Sequence, residues 1–315
     1  MTVIEQTGMP AKRGGLGSAR GRVLKSLLHN PLALTGAILL AVVVIIGVIA
    51  PLIAPYGPAV VHFDVPFQLP GTVGYLLGTD DLGRDILSRM VVGIRASLEV
   101  GVLAVLLSVL IGTPLGLLAG YWRWLDGIIS RLTDVTLAFP FLIIAVGLAA
   151  INGPSLANAA LAIGVAHIPA MIRVVRGETL RIKQRDFVLG AVAMNASGLR
   201  IIFRHVLPNC VSAIIVQATV IMPVAVIGEA VLSFLGLGIQ PPTPSLGIML
   251  SDAQQYISRA PTAAIFPGLA IAAICLGFNL FGDALRDALD PTDTSIGRRS
   301  RRTRTFGSTN GKKSS

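Results

Sequence analysis

Long apolar runs separated by short polar segments dominate the sequence between residues 26 and 282. A transmembrane helix needs about 20 predominantly apolar residues. Residues 26–63 contain no Asp, Glu, Lys or Arg, and their apolar part, 31–54, is the first predicted span. The later predicted spans are 101–120, two within 134–173, 210–234 and 261–282. The pattern therefore predicts an all-α, polytopic membrane protein with six transmembrane helices.

Two spans are predicted within 134–173 because this charge-free stretch is too long for one helix. Residues 152–155, Asn-Gly-Pro-Ser, interrupt it with a strong turn signal. The third and fourth spans are therefore expected to form a hairpin with a short connection.

The basic residues indicate how the spans are oriented, since cytoplasmic loops are rich in Lys and Arg. The two tails, the loop after span two and the loop after span four together hold 22 Lys and Arg residues, against four in the other loops. Both termini are therefore predicted to be cytoplasmic. The tails, 1–25 and 293–315, are predicted to be disordered and to flank a membrane domain over 26–292.

Composition supports a membrane protein. Of 315 residues, 53% are hydrophobic and 13% are charged, whereas a soluble domain carries about a quarter charged residues. The net charge of +10 follows from topology, so no nucleic acid is expected as a partner. The basic cluster at 298–304 is predicted to lie on anionic membrane lipid.

The second span carries Gly112, Gly116 and Gly120 at four-residue spacing. Small residues repeated at this spacing form a stripe on one helix face, where a neighbouring backbone can approach closely. The stripe predicts tight helix packing, either within this chain or against a partner.

Glu229 is the costly polar residue at membrane depth, because a carboxylate in hydrocarbon needs a partner. It could be a proton or cation site, or a structural carboxylate that pins a helix. The structural role is favoured, since one acid alone makes a poor relay. His167, close to Pro169, is interpreted as a packing or interfacial residue rather than a ligand.

Signatures of catalysis are absent from the sequence: it has no His-Glu-x-x-His, no Gly-x-Ser-x-Gly and no Cys/His cluster with metal spacing. We therefore expect no catalytic residue, no metal site and no cofactor bound by this chain.

The segment 173–209, between spans four and five, is too long and too amphipathic for a plain connection. It predicts two short helices, 187–194 and 199–207, with a break at 195–198 and with Pro208 ending the second helix. Its apolar face needs a cover, either the membrane surface or a groove on a soluble partner.

This segment resembles the coupling-loop signature of binding-protein-dependent ABC importer permeases. In that family, Glu-Ala-Ala is followed by Gly and then by Ile-x-Leu-Pro; the matching places hold 189–191, Asn195 and 205–208 here. The blocks 77–89, 228–238, 241–245 and 282–291 resemble the dipeptide, oligopeptide and nickel permeases, in the order expected of their C-type subunit. The resemblance covers roughly residues 30–291.

The resemblance implies a type I ABC importer permease fold in the bacterial cytoplasmic membrane. It also implies four partners: a second homologous permease, two cytoplasmic ATPases that bind ATP and Mg, and an extracytoplasmic solute-binding protein. The solute would be a peptide or a related small solute, such as a nickel complex, glutathione or an opine. The residues that the resemblance assigns to ATPase coupling are Leu189, Gly190, Ala191, Asn195, Ser197, Arg200, Arg204, His205 and Pro208.

Three positions depart from the family pattern. Leu189 replaces an acid, Leu246 replaces a tryptophan in the outer loop, and Asn195 replaces the turn glycine. Asparagine accepts the left-handed backbone conformation, so the turn is expected to survive. Two other functions remain as alternatives, a proton-coupled secondary transporter that uses Glu229 and a membrane-embedded enzyme.

Overall fold

The computed structural model describes residues 30–289, so the predictions for the two tails and for the cluster at 298–304 fall outside it. Within the described residues the regular structure is helical, with two isolated β-bridges. The helices are α1 (Pro31–Ile53), α2 (Ile86–Tyr121), α3 (Arg123–Ala138), α4 (Phe141–Asn152), α5 (Leu156–Lys183), α6 (Asp186–Ala193), α7 (Gly198–Ile201), α8 (Leu207–Phe234), α9 (Leu246–Gln254) and α10 (Thr262–Leu289).

Six spans are present if one bent helix pair is counted as a span. Five helices are long and apolar enough to cross a membrane, and α3 with α4 forms a sixth candidate. This agrees with the predicted six-span fold. Helix α2 begins 15 residues before the predicted start at 101, because Asp85 caps it by accepting a hydrogen bond of 2.9 Å from the Ser88 amide. The first turns of α2 contain charged residues, so a search for apolar runs does not include them.

The third span is broken into two helices at Pro140. Helices α3 and α4 meet at 81° around Phe139 and Pro140. Proline lacks an amide N–H and disfavours the helical conformation in the residue before it, and Phe139 is extended, with φ −92° and ψ 123°. Helix α3 also begins at Arg123, in a segment that the sequence predicted as a loop.

The turn between the third and fourth spans forms as predicted. Gly153 has φ 78°, in the region that favours glycine. Ser155 caps α5 by accepting a hydrogen bond of 3.2 Å from the Asn158 amide. The two helices α4 and α5 therefore run as a hairpin.

The glycine stripe packs within the chain, against α5. A Cβ atom placed on Gly112, Gly116 or Gly120 would lie 2.7, 2.7 and 2.5 Å from the Cβ atoms of Met171, Val175 and Thr179, respectively. Real Cβ atoms do not approach so closely, so glycine is required at all three positions. The stripe therefore packs closely, and its neighbour is a helix of the same chain.

Replacing Gly116 with alanine is expected to destabilise the protein by about 1–3 kcal/mol, the usual cost of overpacking. The added methyl group would meet Val175 Cβ at 2.7 Å and the backbone oxygen of Ile172 at 2.9 Å. Gly147 is the matched control, because its position in α4 has open space around it. Alanine there should be neutral or slightly stabilising through its helix propensity. Thermal unfolding in detergent compares the two variants, and equal midpoints would contradict the packing described.

Leu246 fills the position where the resemblance expects tryptophan. It is fully buried, in a cluster with Ile94, Val226 and Ile274. The preceding residue, Ser245, caps α9 by accepting a hydrogen bond of 3.2 Å from the Ile248 amide. The start of α9 is therefore packed without the larger ring.

Candidate functional site

The hairpin between the fourth and fifth spans, residues 184–207, turns at Asn195. This residue has φ 58°, so it adopts the left-handed conformation that its place in the turn predicted. The Ala196 amide donates to the Ala191 carbonyl at 3.1 Å, and the Asn195 amide donates to the Val192 carbonyl at 2.9 Å. These two bonds form a Schellman cap, which is a common end for helices. Asparagine thus performs the role of the family's glycine.

Two predicted boundaries of this segment are wrong. The segment does not begin at residue 173, because α5 remains helical to Lys183. Nor does Pro208 end a helix, since α7 continues through a π-helical turn, Ile202–Val206, into α8. The wider turn lets the Leu207 amide bond to the Ile202 carbonyl, and the Asn209 side chain donates to the His205 carbonyl at 2.7 Å. Proline in the first turn of a helix is also tolerated.

One side of the hairpin is firmly attached to the ends of α2 and α5. Five buried apolar residues on this side join Leu117 and Val175 in one core cluster. Where the hairpin begins, the ends of α5 and α2 are also joined, because the Lys183 ammonium donates to the Tyr121 carbonyl at 2.7 Å. The five hairpin residues are Val188, Ala191, Ile201, Ile202 and Val206.

The opposite side, which we call the hairpin face, exposes an apolar patch to solvent. Its large apolar residues are Phe187, Leu189, Val192, Met194, Leu199 and Phe203, each about half exposed or more. Exposed apolar residues gathered on one side of a short hairpin make this face a candidate interaction surface.

The nine residues assigned by resemblance are therefore divided between the two sides. Ala191 is buried in the base of the hairpin, and His205 is half-buried beside the Phe187 ring, 6.3 Å between ring centres. The exposed residues are Leu189, Gly190, Asn195, Ser197, Arg200, Arg204 and Pro208.

Glu229 is buried where three elements meet. Its two carboxylate oxygens accept hydrogen bonds from Ser97 of α2 at 2.6 Å and from Ser233 of α8 at 2.7 Å. The Ser245 hydroxyl, at the start of α9, interacts with the same carboxylate. The arrangement fits a structural carboxylate that joins α2, α8 and α9.

Glutamine at position 229 is expected to keep most of the transport activity, because its amide group can accept from one serine and donate to the other. Leucine should destabilise the protein, since it leaves the serine hydroxyls buried without this partner. Solute uptake and thermal unfolding are measured for both variants. Loss of uptake in Glu229→Gln with unchanged stability would instead indicate a proton or cation site.

A cluster of ion pairs holds the segment between α1 and α2, residues 54–85, which sequence reasoning missed as a site. Asp80 is paired with Arg84, at 2.7 Å, and with the buried Arg89. Both arginines also reach Asp252 in α9, at 3.3 and 3.0 Å. The nearby Tyr256 ring is half-buried, and its burial raises the pKa of the phenol. Asp252 lies 168 positions along the chain from Arg84 and 163 positions from Arg89. Sequence spacing therefore gives no signal for these pairs.

The described residues offer no metal centre, as no three His, Cys, Asp or Glu side chains within 30–289 are grouped to hold an ion. Cys210 and Cys275 are free thiols.

The described helices define a helical, multi-pass membrane protein with an exposed apolar face on its hairpin. Residues 112–292 match the family of binding-protein-dependent transport system inner membrane components. Residues 18–70 match the N-terminal transmembrane domain of oligopeptide transport permease C. The chain therefore belongs to the family of ABC importer permeases, and within it to the dipeptide and oligopeptide C-type subunits.

Curated relatives agree over most of the chain. The dipeptide transport system permease protein DppC of Alkalihalophilus pseudofirmus is 45% identical over 85% of this chain and 88% of its own length. The glutathione transport system permease protein GsiD of Pectobacterium atrosepticum is 44% identical over 85% of this chain and 89% of its own.

A solved structure has the same fold. A chain of the MetNI methionine ABC transporter, in an inward-facing conformation, matches with a TM-score of 0.56 and 20% identity. The match covers 65% of this chain and 98% of that chain. The fold is therefore that of a type I ABC importer permease.

Proposed function

We propose that this chain forms half of a translocation pathway for peptides or a related small solute. We also propose that a partner ATPase docks on its hairpin face and transmits its ATP-driven movement through it. The observation that carries the proposal is the hairpin itself, with an exposed apolar face on one side and a buried, anchored base on the other. The names of the relatives, which include dipeptide, di/tripeptide and glutathione permeases, support the solute class.

The proposed assembly contains a second homologous permease, two cytoplasmic ABC ATPases and an extracytoplasmic solute-binding protein. ATP and Mg bind to the ATPases, and this permease supplies no cofactor and no catalytic group. The chain lies in the bacterial cytoplasmic membrane with both termini cytoplasmic, as the distribution of Lys and Arg indicates. The hairpin is then on the cytoplasmic side, where an ATPase can reach it.

The chemistry of the hairpin face indicates the groove that it fits. Phe187, Val192 and Phe203 present apolar bulk, and the exposed Arg200 and Arg204 add positive charge. An apolar groove with an acidic edge on the ATPase complements this face. Leu189, where the family has an acid, adds apolar contact instead of a charge.

The mechanism is alternating access. When the ATPases close on ATP, they draw the two hairpins together, and the anchored bases carry the ends of α2 and α5 with them. Shifting a two-state protein from 1:99 to 99:1 requires about 5.5 kcal/mol of differential binding. The hairpin base packs against α2 and α5. A movement of the hairpin is therefore passed to these spans, whereas a loosely packed base would move without them.

The test is affinity purification of the tagged chain from its native membrane, with identification of the co-purified proteins and an assay of ATP hydrolysis. We expect a second permease and two ATPases, with hydrolysis that the binding protein stimulates. A chain that purifies alone and moves solute with a proton gradient would overturn the proposal in favour of the secondary transporter. The enclosure of Glu229 by serines gives that alternative no support.

A further inference from the structure

A cavity of about 370 Å³ lies beside the break in the third span. Its volume is within the range of small-molecule sites. The lining comes from α3, α4, α5 and α8 and is apolar apart from two side chains, Thr136 and His167.

The cavity lies near the middle of the membrane. His167 is eleven residues from the start of α5, and Phe141 is eleven residues from the end of α4. At 1.5 Å per residue, both are about 17 Å from the hairpin turn that joins α4 and α5. The hydrocarbon core is about 30 Å thick, so this depth is far from either surface.

The break itself indicates that this surface does not face lipid. Leu137–Pro140 is exposed in the subunit, and no side chain caps the start of α4. Helix ends leave backbone groups without helical partners. Non-helical backbone at membrane depth is tolerated only where protein covers it or where it lines a water-filled cavity. The cavity at the break therefore belongs to a wet or protein-covered surface.

The two polar side chains of the cavity differ in what they can offer a ligand. The Thr136 hydroxyl already donates to the Leu132 carbonyl at 2.9 Å. His167 Nδ1 lies 2.7 Å from the Ile163 carbonyl, and a carbonyl only accepts, so Nδ1 carries the proton. In the neutral form of the ring the lone pair is then on Nε2, on the side of the ring away from that bond, and the side chain lines the cavity.

We propose that this cavity is a solute subsite on the translocation pathway, and that His167 Nε2 accepts a hydrogen bond from an N–H group of the solute. An ammonium or amide N–H is the matching donor, and peptides and glutathione carry both. The apolar walls from Phe141, Ile163 and Ile227 accommodate side chains without selecting among them. This inference rests on the proposed importer function and replaces the sequence interpretation of His167 as a packing residue.

The location is tested by the reactivity of introduced cysteines in the complex reconstituted in proteoliposomes, after Cys210 and Cys275 are replaced by alanine. Ile227→Cys lies in the cavity wall, and Leu269→Cys is an exposed control on α10 outside that wall. Each position is seven residues from the end of its helix, Phe234 or Thr262, so their depths match. A charged, water-soluble methanethiosulfonate is applied with and without ATP.

We expect Ile227→Cys to react at least about tenfold faster than Leu269→Cys in one of the two conditions, because water reaches only the cavity. Equal, slow reaction of both in both conditions would overturn the location. This measurement does not depend on which solute is imported, so it stands apart from the test of the proposed function.

The hydrogen bond is tested by uptake of labelled alanyl-alanine, with glutathione as a second probe. His167→Phe should reduce uptake about tenfold, the scale of one lost hydrogen bond. His167→Gln, which restores an acceptor, should stay within about twofold of the wild type. Co-purification of the ATPases and stimulation of ATP hydrolysis by the binding protein should be retained in both variants.

Wild-type uptake by an assembled His167→Phe complex, or equal losses in the Phe and Gln variants, would overturn the role of Nε2. Absence of uptake by the wild type itself with both probes would instead count against the proposed solute class, while the cysteine experiment would still decide the position of the pathway.

Discussion

Replacing Gly190 with arginine is expected to abolish ATP-driven uptake while leaving membrane insertion and folding intact. Gly190 is exposed in α6, and a Cβ atom placed there meets nothing within 4 Å. The arginine therefore costs the isolated permease little. It adds bulk and charge beside Leu189 and Val192, in the apolar patch that the ATPase would cover. A charge buried in an apolar interface without a partner costs several kcal/mol, which is enough to reverse the proposed two-state change.

Uptake in proteoliposomes and the yield of co-purified ATPase measure this effect. Gly127→Arg is the matched control, because Gly127 in α3 is equally exposed and has the same open space but lies outside the hairpin. Normal uptake in Gly190→Arg would refute the docking role of the hairpin face. Ala191 is a poorer test, since it is buried in the hairpin base and a large residue there would disturb the packing itself.

Replacing Asp80 with leucine is expected to destabilise the protein by about 3–5 kcal/mol, the usual cost of breaking a buried ion pair. Asp80 is buried and pairs with Arg84 and Arg89. Its carboxylate also accepts hydrogen bonds from the amides of Leu82 and Arg84, at 3.0 and 2.9 Å. Leucine removes all of these and leaves the buried Arg89 with Asp252 alone.

Thermal unfolding in detergent and protease sensitivity of residues 54–85 report this loss. Asp64→Leu is the control within the same segment, because Asp64 is exposed and surface changes usually stay within about 0.5 kcal/mol. Equal midpoints for the two variants would show that the Asp80 cluster does not hold the outer segment.

The sequence predicts the spans well, because a helix that crosses the hydrocarbon core needs about 20 apolar residues. Runs of this length are visible directly in the sequence. It also predicts the turn at Asn195, since the left-handed conformation restricts which residues fit. The glycine stripe predicts close packing but leaves the neighbour open. Only the fold shows that Gly116 faces Val175, because the spacing of one helix does not identify its partner.

The sequence alone does not predict whether a given proline interrupts a helix. Pro140 breaks a span and Pro208 does not, although both follow apolar residues. The difference lies in the local hydrogen bonds: a π-helical turn precedes Pro208, whereas Phe139 is extended before Pro140. The Asp80 cluster is missed for another reason, since its partner Asp252 is distant along the chain and nothing in either segment identifies the other.

The continuity of the chain through Pro208 has a mechanical consequence. Gly198–Phe234 forms one helical run of 37 residues, about 55 Å long at 1.5 Å per residue. It carries an exposed residue of the hairpin face, Phe203, near one end and a wall of the cavity, Ile227, near the other. If the hairpin face and the cavity act as proposed, this single helical run, which contains Pro223, connects the surface on which an ATPase would dock to the wall of the solute passage. A tilt of about 5° around its centre would displace each end by about 2.4 Å, so a small movement of the docked ATPase would be enough to reshape the passage.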